Sequence, residues 1–336
     1  VITGGGGFVG QALARALRAE GHQVLCLSRG AYPELNALGI ETARVDISAP
    51  STEWQDLCKG YDGIFHTAAK VDMWGPREGF FRTNVIGTRN VIAVCRAAGI
   101  KNLVFTSSPS VIHDGKDLVG VDECYPYPRH HHAWYPETKA IAEREVREAN
   151  DGATLRTVAL RPHLIWGTGD THLVPTIIER ARAGRLTQIG DGTNLVDLTL
   201  IDDCVSAHIA AMHALERNAA EVFGKVYFIS QGDPVNMWGW INQVLERNGL
   251  PAVSRLLPRA VAMSLAGVME GIATVVGLCG IEYKPLLTRF LASEMSTHHY
   301  FSIEAARRDL GYIPSCTVDE AMERVFPADM KMVVGS

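Results

Sequence analysis

A cluster of glycines opens the chain, set between a short apolar run and an amphipathic stretch. Val1-Ile2-Thr3 leads into Gly4-Gly5-Gly6-Gly7-Phe8-Val9-Gly10, and apolar residues then recur at helical spacing to about residue 19. Gly4, Gly7 and Gly10 lie three apart, which permits a tight turn, close approach of the backbone to a pyrophosphate, and a helix seated against its strand. A plain turn also favours glycine, so it is the placement between strand and helix that points to a dinucleotide site. Gly4, Gly7, Phe8 and Val9 are the cofactor-binding candidates there. Val1 already lies inside the strand, so a few residues are expected ahead of it.

The alternation continues downstream. An apolar run at 23–27 follows the first helix, and 63–66, 103–106 and 157–160 read as buried strands, with helices over about 79–98 and 136–149 between them. Strands alternating with helices of this length imply an α/β fold, a doubly wound parallel sheet. After Gly167 the pattern loosens into helices at 174–183 and about 202–217, a strand at 226–229 and a mostly helical remainder. The expected organisation is a dinucleotide-binding domain from 1–168 and 202–231, with a smaller, mainly helical substrate domain from 169–201 and 232–336.

With 47 % hydrophobic and 21 % charged residues, 336 residues can bury a substantial core. The 37 acidic side chains outnumber the 32 Lys and Arg, and no basic stretch suggests nucleic acid. Seven scattered cysteines without a CxxC pair fit neither a disulfide framework nor a zinc knuckle, so a cytoplasmic protein is expected. Residues 259–281 are strongly apolar but carry Glu270 at their centre. A mid-membrane carboxylate costs about 2.5–3.5 kcal/mol on insertion scales, which disfavours a span. A buried helix is expected instead, with a wall for a greasy substrate or a peripheral membrane contact as alternatives.

Several residues carry chemistry. At the end of the second strand, where an acidic residue would hold the ribose hydroxyls of NAD, the chain has Ser28-Arg29. A guanidinium there pairs with a 2′-phosphate, favouring NADP(H), with NAD as the alternative. Arg29 could instead stack on adenine or solvate the strand end. Asp46-Ile47 ends the third strand, placed to meet the adenine or, for Asp46, to cap a turn. Tyr135 and Lys139 stand at i and i+4 on one helical face; an ammonium near a phenol favours the phenolate and suits general acid–base work. They follow a strand ending in Thr106-Ser107-Ser108. His130-His131-His132 precedes Tyr135 in a Pro- and Tyr-rich loop, and adjacent His side chains do not converge easily on a metal, so no metal is expected.

TGGGGFVG, HTAAK (66–70), TNVIGT (83–88), FTSSPSV (105–111), YPETK (135–139) and RPHLIWG (161–167), in this order over nearly the whole chain, resemble the extended short-chain dehydrogenase/reductase superfamily. The TSSPSV form, the apolar insert and YFSIEAARRDLGYIP (300–314) are similar to its 3β-hydroxysteroid dehydrogenase branch. ALRPHLIWGTGDTHLVP and IGDGTNLVD look like the bacterial β-keto-acid reductases of long-chain olefin biosynthesis. That resemblance implies NADPH-dependent reduction of a 2-alkyl-3-oxoalkanoate to the 3-hydroxy acid. Tyr135 would be the acid, Lys139 would bind the nicotinamide ribose and lower the Tyr pKa, and Ser108 would hydrogen-bond the reacting oxygen, with Ser107 its rival. His66 to Ala69, hence Ala68 and Ala69, together with Asn84 would line the cofactor, and Pro162 and Leu164 would lie beside the nicotinamide. The resemblance further implies a homodimer, with a contact to a membrane surface or a pathway enzyme as a further expectation.

Rival readings are a steroid or sterol dehydrogenase, a sugar-nucleotide epimerase or dehydratase, and a cofactor-sensing module without catalysis. Sugar-nucleotide relatives commonly carry Arg where this chain has Val196, and a non-catalytic sensor often loses the Tyr or the Lys that are both present here.

Overall fold

The computed structural model describes residues 1–281 and 283–327. Residues 328–336 of the expected substrate domain lie outside them. Seven parallel strands form the main sheet: β1 (Ile2–Thr3), β2 (Leu25–Ser28), β3 (Glu41–Arg44), β4 (Gly63–His66), β5 (Asn102–Thr106), then Arg156–Pro162 and Lys225–Ile229. In space they run Lys225–Ile229, Arg156–Pro162, β5, β4, β1, β2, β3. The chain therefore winds outward from β1 to β3, then returns to β4 on the other side of β1. Such a reversal opens a crevice at the carboxyl ends of the strands, where ligands bind in open α/β sheets.

Both faces of the sheet are covered, which is why its strands read as apolar runs rather than alternating ones. On one face Ile2, Cys26, Val104 and Leu160 pack with Leu13 and Leu17 of α1 (Phe8–Ala19) and with Val205 and Met212 of the helix Ile201–Glu216. On the other, Leu25, Leu27, Ile64, Leu103 and Phe105 meet Val91, Val94 and Val146.

The helix expected over 79–98 is interrupted. An α-helical turn at Arg77–Phe80 gives way to a π-helical stretch at Phe81–Ile86 before α-helix resumes at Gly87–Ala98 and ends at Gly99, whose φ is +76°. A π-turn inserts an extra residue into the helical ladder and is frequent at functional sites; this one contains Asn84. Apolar periodicity carries no signature of it.

Four strands form a second sheet, in the order Val235–Asn236, Leu195–Val196, His299–Phe301, Leu118–Val121. Leu118–Val121 comes from the stretch read as part of the dinucleotide domain, and the helix Glu304–Leu310, from the other stretch, packs Ala306 and Leu310 back into the main core. Strands this short, with Val119 exposed, show no period-2 pattern.

Residues 259–281 are not a buried helix. Arg259–Leu278 is one helix, the only described one long and apolar enough to cross a membrane, yet only Ala262, Ala266, Glu270 and Ala273 of it are buried. The Glu270 carboxylate accepts from the Arg289 backbone N–H and Nε, both at 2.7 Å, pinning this helix to Arg289–Glu294. Composition alone cannot tell which side of such a helix faces protein.

A fully buried ion pair ties the helix Trp134–Glu148 to the strand Arg156–Pro162. Arg161 Nε and Nη2 donate to Glu143 at 2.9 and 2.6 Å, with both side chains at most 1 % exposed. Tyr127 Oη donates to the same carboxylate at 2.5 Å. Burial acts most strongly and raises the Glu143 pKa, but the Arg161 charge together with the hydrogen bonds from Arg161, Ser107 and Tyr127 outweighs it and holds the carboxyl below its usual range. Removing one member leaves the other charge buried alone, so Glu143→Ala is expected to destabilise the fold by about 3–5 kcal/mol, read from urea unfolding. A change under about 1 kcal/mol would mean that water reaches Arg161.

Candidate active site

The glycine turn sits where β1 meets the reversal. Gly4 N–H donates to Leu27 O at 2.8 Å, and Gly7 N–H closes the turn on Gly4 O, also at 2.8 Å. Gly4 has φ +74°, and a Cβ there would stand 2.7 Å from Ala68 N. A Cβ on Gly10 would stand 2.2 Å from Gly4 O. The turn is thus as tight as the three-residue spacing predicts, and two of these positions exclude any side chain. Gly7 caps α1 without a side chain and the first turn holds no acidic residue, so the positive end of the helix is left to an anion. Phe8 and Val9 follow, half-buried. The cradle fits a dinucleotide pyrophosphate.

Around it stand the ends of the neighbouring strands. Arg29 is exposed at the end of β2, and Arg44, which sequence reasoning missed, reaches over from β3 to donate Nε to Arg29 O at 3.4 Å. Tyr32, also missed, lays its ring against Gly6, where a Cβ would lie 2.0 Å from ring carbon Cζ. Asp46 is a turn lock: Oδ1 accepts from Ser48 N–H at 2.9 Å and Ser48 Oγ at 2.7 Å, and Oδ2 from Arg82 at 3.2 Å. Ile47 is buried, packed where a Cβ on Gly87 would touch it. Ala68 and Ala69 are half-buried beyond β4. The buried Asn84 side chain accepts from Lys70 N–H at 2.7 Å and donates to Lys70 O at 3.2 Å and to Thr138 Oγ1 at 3.0 Å. It therefore clamps the loop after β4 to the helix that carries Tyr135 and Lys139.

Ser108, Tyr135 and Lys139 come together at the end of β5. Ser108 begins the short helical turn Pro109–Ile112, its Oγ accepting from Ser110 N–H at 3.2 Å, and its hydroxyl lies beside the Tyr135 phenol. Ser107 turns the other way, toward the Glu143 carboxylate. Lys139 is 3 % exposed; Nζ donates to Thr106 O at 2.6 Å and lies 4.0 Å from the centre of the Phe105 ring. Burial lowers the Lys139 pKa to about 7, with Glu143 acting against the drop. The phenol goes the other way from the expectation that Lys139 lowers it: burial pushes Tyr135 up to about 12, with the Ser108 hydroxyl opposing and Glu294 adding to the rise. The ammonium is spent on the Thr106 carbonyl, so desolvation decides the phenol.

Pro162 ends its strand in the core, and Leu164 beyond it holds φ +41°, a strained conformation for a branched side chain. Between them the buried His163 Nε2 meets His299 Nδ1 at 2.6 Å. His131, His132 and Trp134 line a cleft of about 1040 Å³ whose opposite wall is the helix Arg259–Leu278. That wall presents Gly267, Gly271 and Gly277. The sequence suggests Val268 and Val275 as groove residues; both point away and are exposed. Val196 is fully buried in the second core, so no cation stands at its position. Among the described residues no group of three His, Cys, Asp or Glu is placed to hold a metal ion.

His66 underpins the crevice. Its Nδ1 meets Thr3 Oγ1 at 2.7 Å and its Nε2 meets Thr88 Oγ1 at 2.9 Å, while burial, with help from Lys139, lowers its pKa to about 3. The unfolded chain takes up this proton near pH 6.5 and the folded one does not, so stability falls as pH drops from about 6.5 towards 3. Replacing it, as His66→Gln, should flatten the urea-midpoint profile in that window by up to one proton. An unchanged slope would show that His66 is protonated in the folded state.

The sheet order, the glycine cradle at its reversal and the Tyr–Lys row at the end of β5 define an NAD(P)-binding oxidoreductase. The chain belongs to the 3-beta hydroxysteroid dehydrogenase/isomerase family, whose model matches residues 1–259. It is 47 % identical over 328 residues to a protein of Stenotrophomonas maltophilia named 2-alkyl-3-oxoalkanoate reductase, covering 97 % of each chain. A protein of that name from Shewanella oneidensis is 40 % identical, over 96 % of this chain and 84 % of its own. Among solved structures, MoeE5 in complex with UDP-glucose and NAD superposes with a TM-score of 0.72 over 97 % of this chain and 96 % of its own; at 23 % identity it shows a shared fold.

Proposed function

We propose that this protein is an NADPH-dependent reductase that converts a 2-alkyl-3-oxoalkanoate into the 2-alkyl-3-hydroxyalkanoate. The observation that carries the reading is the phenol of Tyr135, beside the Ser108 hydroxyl and one helical turn from the buried Lys139, next to a cleft with glycines along one wall. The identity to the Stenotrophomonas and Shewanella reductases supports the substrate class. NADPH, when bound, supplies the hydride that adds to C3. Gly4, Gly7, Phe8 and Val9 would hold its pyrophosphate, and Arg29 with Arg44 its 2′-phosphate. Ser108 Oγ–H hydrogen-bonds the substrate carbonyl oxygen and orients it. Tyr135, kept protonated by its burial, gives its proton to that oxygen as the C3–H bond forms. Lys139 would bind the cofactor ribose, and its charge would favour the phenolate left behind.

Replacing the acid, as Tyr135→Phe, should lower kcat by about 10²-fold or more while NADPH affinity stays near wild type, since the phenol acts in the transition state. A variant retaining more than about a tenth of kcat would rule the phenol out as the acid. Arg29→Ala should weaken kcat/KM for NADPH more than for NADH; equal losses would remove the phosphate role.

A groove for alkyl chains makes affinity grow with length, by about 0.8 kcal/mol per buried methylene before ordering costs. A Cβ on Gly271 meets nothing within 4 Å, so a larger side chain there projects into free space. With Gly271→Leu, kcat/KM should stop rising at a shorter alkyl chain, with little change for a short substrate. If length dependence is the same in both proteins, the glycine wall does not hold the chains.

A further inference from the structure

We infer that Arg289 anchors the carboxylate of the substrate in the cleft, on the side of the helix Arg259–Leu278 that faces the protein. The ligand is the acid of the proposed reaction, so the inference rests on that reading and deepens it.

A 2-alkyl-3-oxoalkanoate is an anion with two apolar chains. The chains gain from leaving water, but the carboxylate loses its hydration on entering a cleft and needs donors there. The described lining supplies them unevenly. Its carboxylates are Asp72 and Glu270, and its Lys and Arg are Lys284 and Arg289. Asp72 is taken by Lys70, which stands outside the lining, at 2.5 Å. Glu270 is taken by Arg289. The balance is positive, and each of these two carboxylates already has a cation.

Arg289 is held in a way that keeps a fork free. Glu270 accepts its backbone N–H with one oxygen and its Nε with the other, each at 2.7 Å. Nη1 and Nη2 have no partner among the described residues, and the side chain is 56 % exposed. Two parallel N–H groups of a guanidinium match the two oxygens of one carboxylate. Glu270 fixes the guanidinium before the acid arrives, so less ordering is left for binding. Beside it a Cβ on Gly267 would stand 3.9 Å from Arg289 Cδ, and one on Gly271 would meet nothing within 4 Å. Alkyl chains therefore leave the anchor along a wall without side chains.

The anchor also stands at a set distance from the chemistry. Arg289 begins a helix that Glu294 ends, about 7.5 Å further on at 1.5 Å per residue. The Glu294 charge reaches the Tyr135 phenol. Histidines fasten this end to the dinucleotide layer. His113, five residues after Ser108, meets Ser293 Oγ at 3.1 Å and Glu294 Oε1 at 3.4 Å. His299 Nε2 donates to Glu294 O at 2.6 Å and, through Nδ1, meets His163. In the substrate the carboxyl carbon is two bonds from C3, so its anion must lie near the group that protonates the C3 oxygen. The helix and the arginine side chain bridge that interval.

The test compares an acid with its own methyl ester, which keeps the chains and loses the charge. Binding is read by calorimetry with 2-butyloctanoate, which has no oxo group to reduce, and turnover with a 2-alkyl-3-oxoalkanoate. Wild type should bind the acid about tenfold or more tightly than the ester. Arg289→Gln should abolish that preference in binding and in kcat/KM, and Arg289→Lys, a point charge without the fork, should restore part of it. Glu270→Gln loosens the same ion pair but leaves the fork, so it should keep the preference. NADPH affinity of the three variants reports folding. A wild type without preference, or equal loss in Arg289→Gln and Glu270→Gln, overturns the anchor and makes the pair a clamp between helices. Arg289-dependent binding of the acid without reduction of any 3-oxo acid would keep the anchor and remove the reaction. Equal reduction of acid and ester would keep the reaction and remove the anchor.

Discussion

The Glu143 carboxylate is the point from which the site is held. Two water-poor charges cost several kcal/mol each to bury, a cost recovered only through close geometry. Here Arg161 meets Glu143 with two short bonds and Tyr127 adds a third. The pair fixes how far the helix Trp134–Glu148 stands from the sheet, and with it the row Tyr135, Lys139, Glu143, each one turn from the next. Asn84 does the same work from the other side, through Thr138. Tyr135 is therefore aimed by two buried polar contacts on opposite flanks of one helix. Neither contact touches a reacting atom.

Burial has opposite consequences for the two members of the row. It moves the phenol up to about 12 and the ammonium down to about 7, because each shift favours the neutral form. A phenol so raised is a proton donor across the neutral range. Glu143 keeps Lys139 from falling further, so the structural ion pair also tunes the charge nearest the site. Ser107 is turned to Glu143 and Ser108 to Tyr135, so neighbouring residues of one extended strand end face the buried ion pair and the phenol separately.

Much of this was legible in the chain. The glycine spacing, the strand–helix alternation and the Tyr–Lys interval are local patterns, set by residues within a few positions of each other, so the sheet, the crevice and the row could be read from them. What escaped depends on residues far apart or on the choice between two faces. Arg161 gives no sign that its anion lies on the preceding helix. The π-turn at Phe81–Ile86 leaves the apolar periodicity unbroken, and Arg44 and Tyr32 join the cradle only because β2 and β3 bring their ends together. The helix Arg259–Leu278 was misread for a related reason. Hydropathy averages over its circumference, whereas its valines and its glycines occupy separate stripes.

Those stripes bear on how one fold takes different substrates. The dinucleotide end depends on backbone geometry: glycines at fixed positions, a helix terminus, the order of the strands. MoeE5 keeps that fold at 23 % identity. The substrate end is made of side chains on the second layer, and there the choices differ in kind. Val196, buried in the second core, offers a diphosphate no cation, and the wall opposite His131 and Trp134 is bare where glycines replace side chains. A wall of glycines lets a groove gain affinity from chain length, and it tolerates a family of homologous alkyl chains more readily than one rigid ring system. The same bareness removes packing from the inner face of the helix, so its hold on the protein is concentrated in Ala262, Ala266, Ala273 and the Glu270–Arg289 pair. The outer valines, exposed along the opposite side, add nothing to that hold.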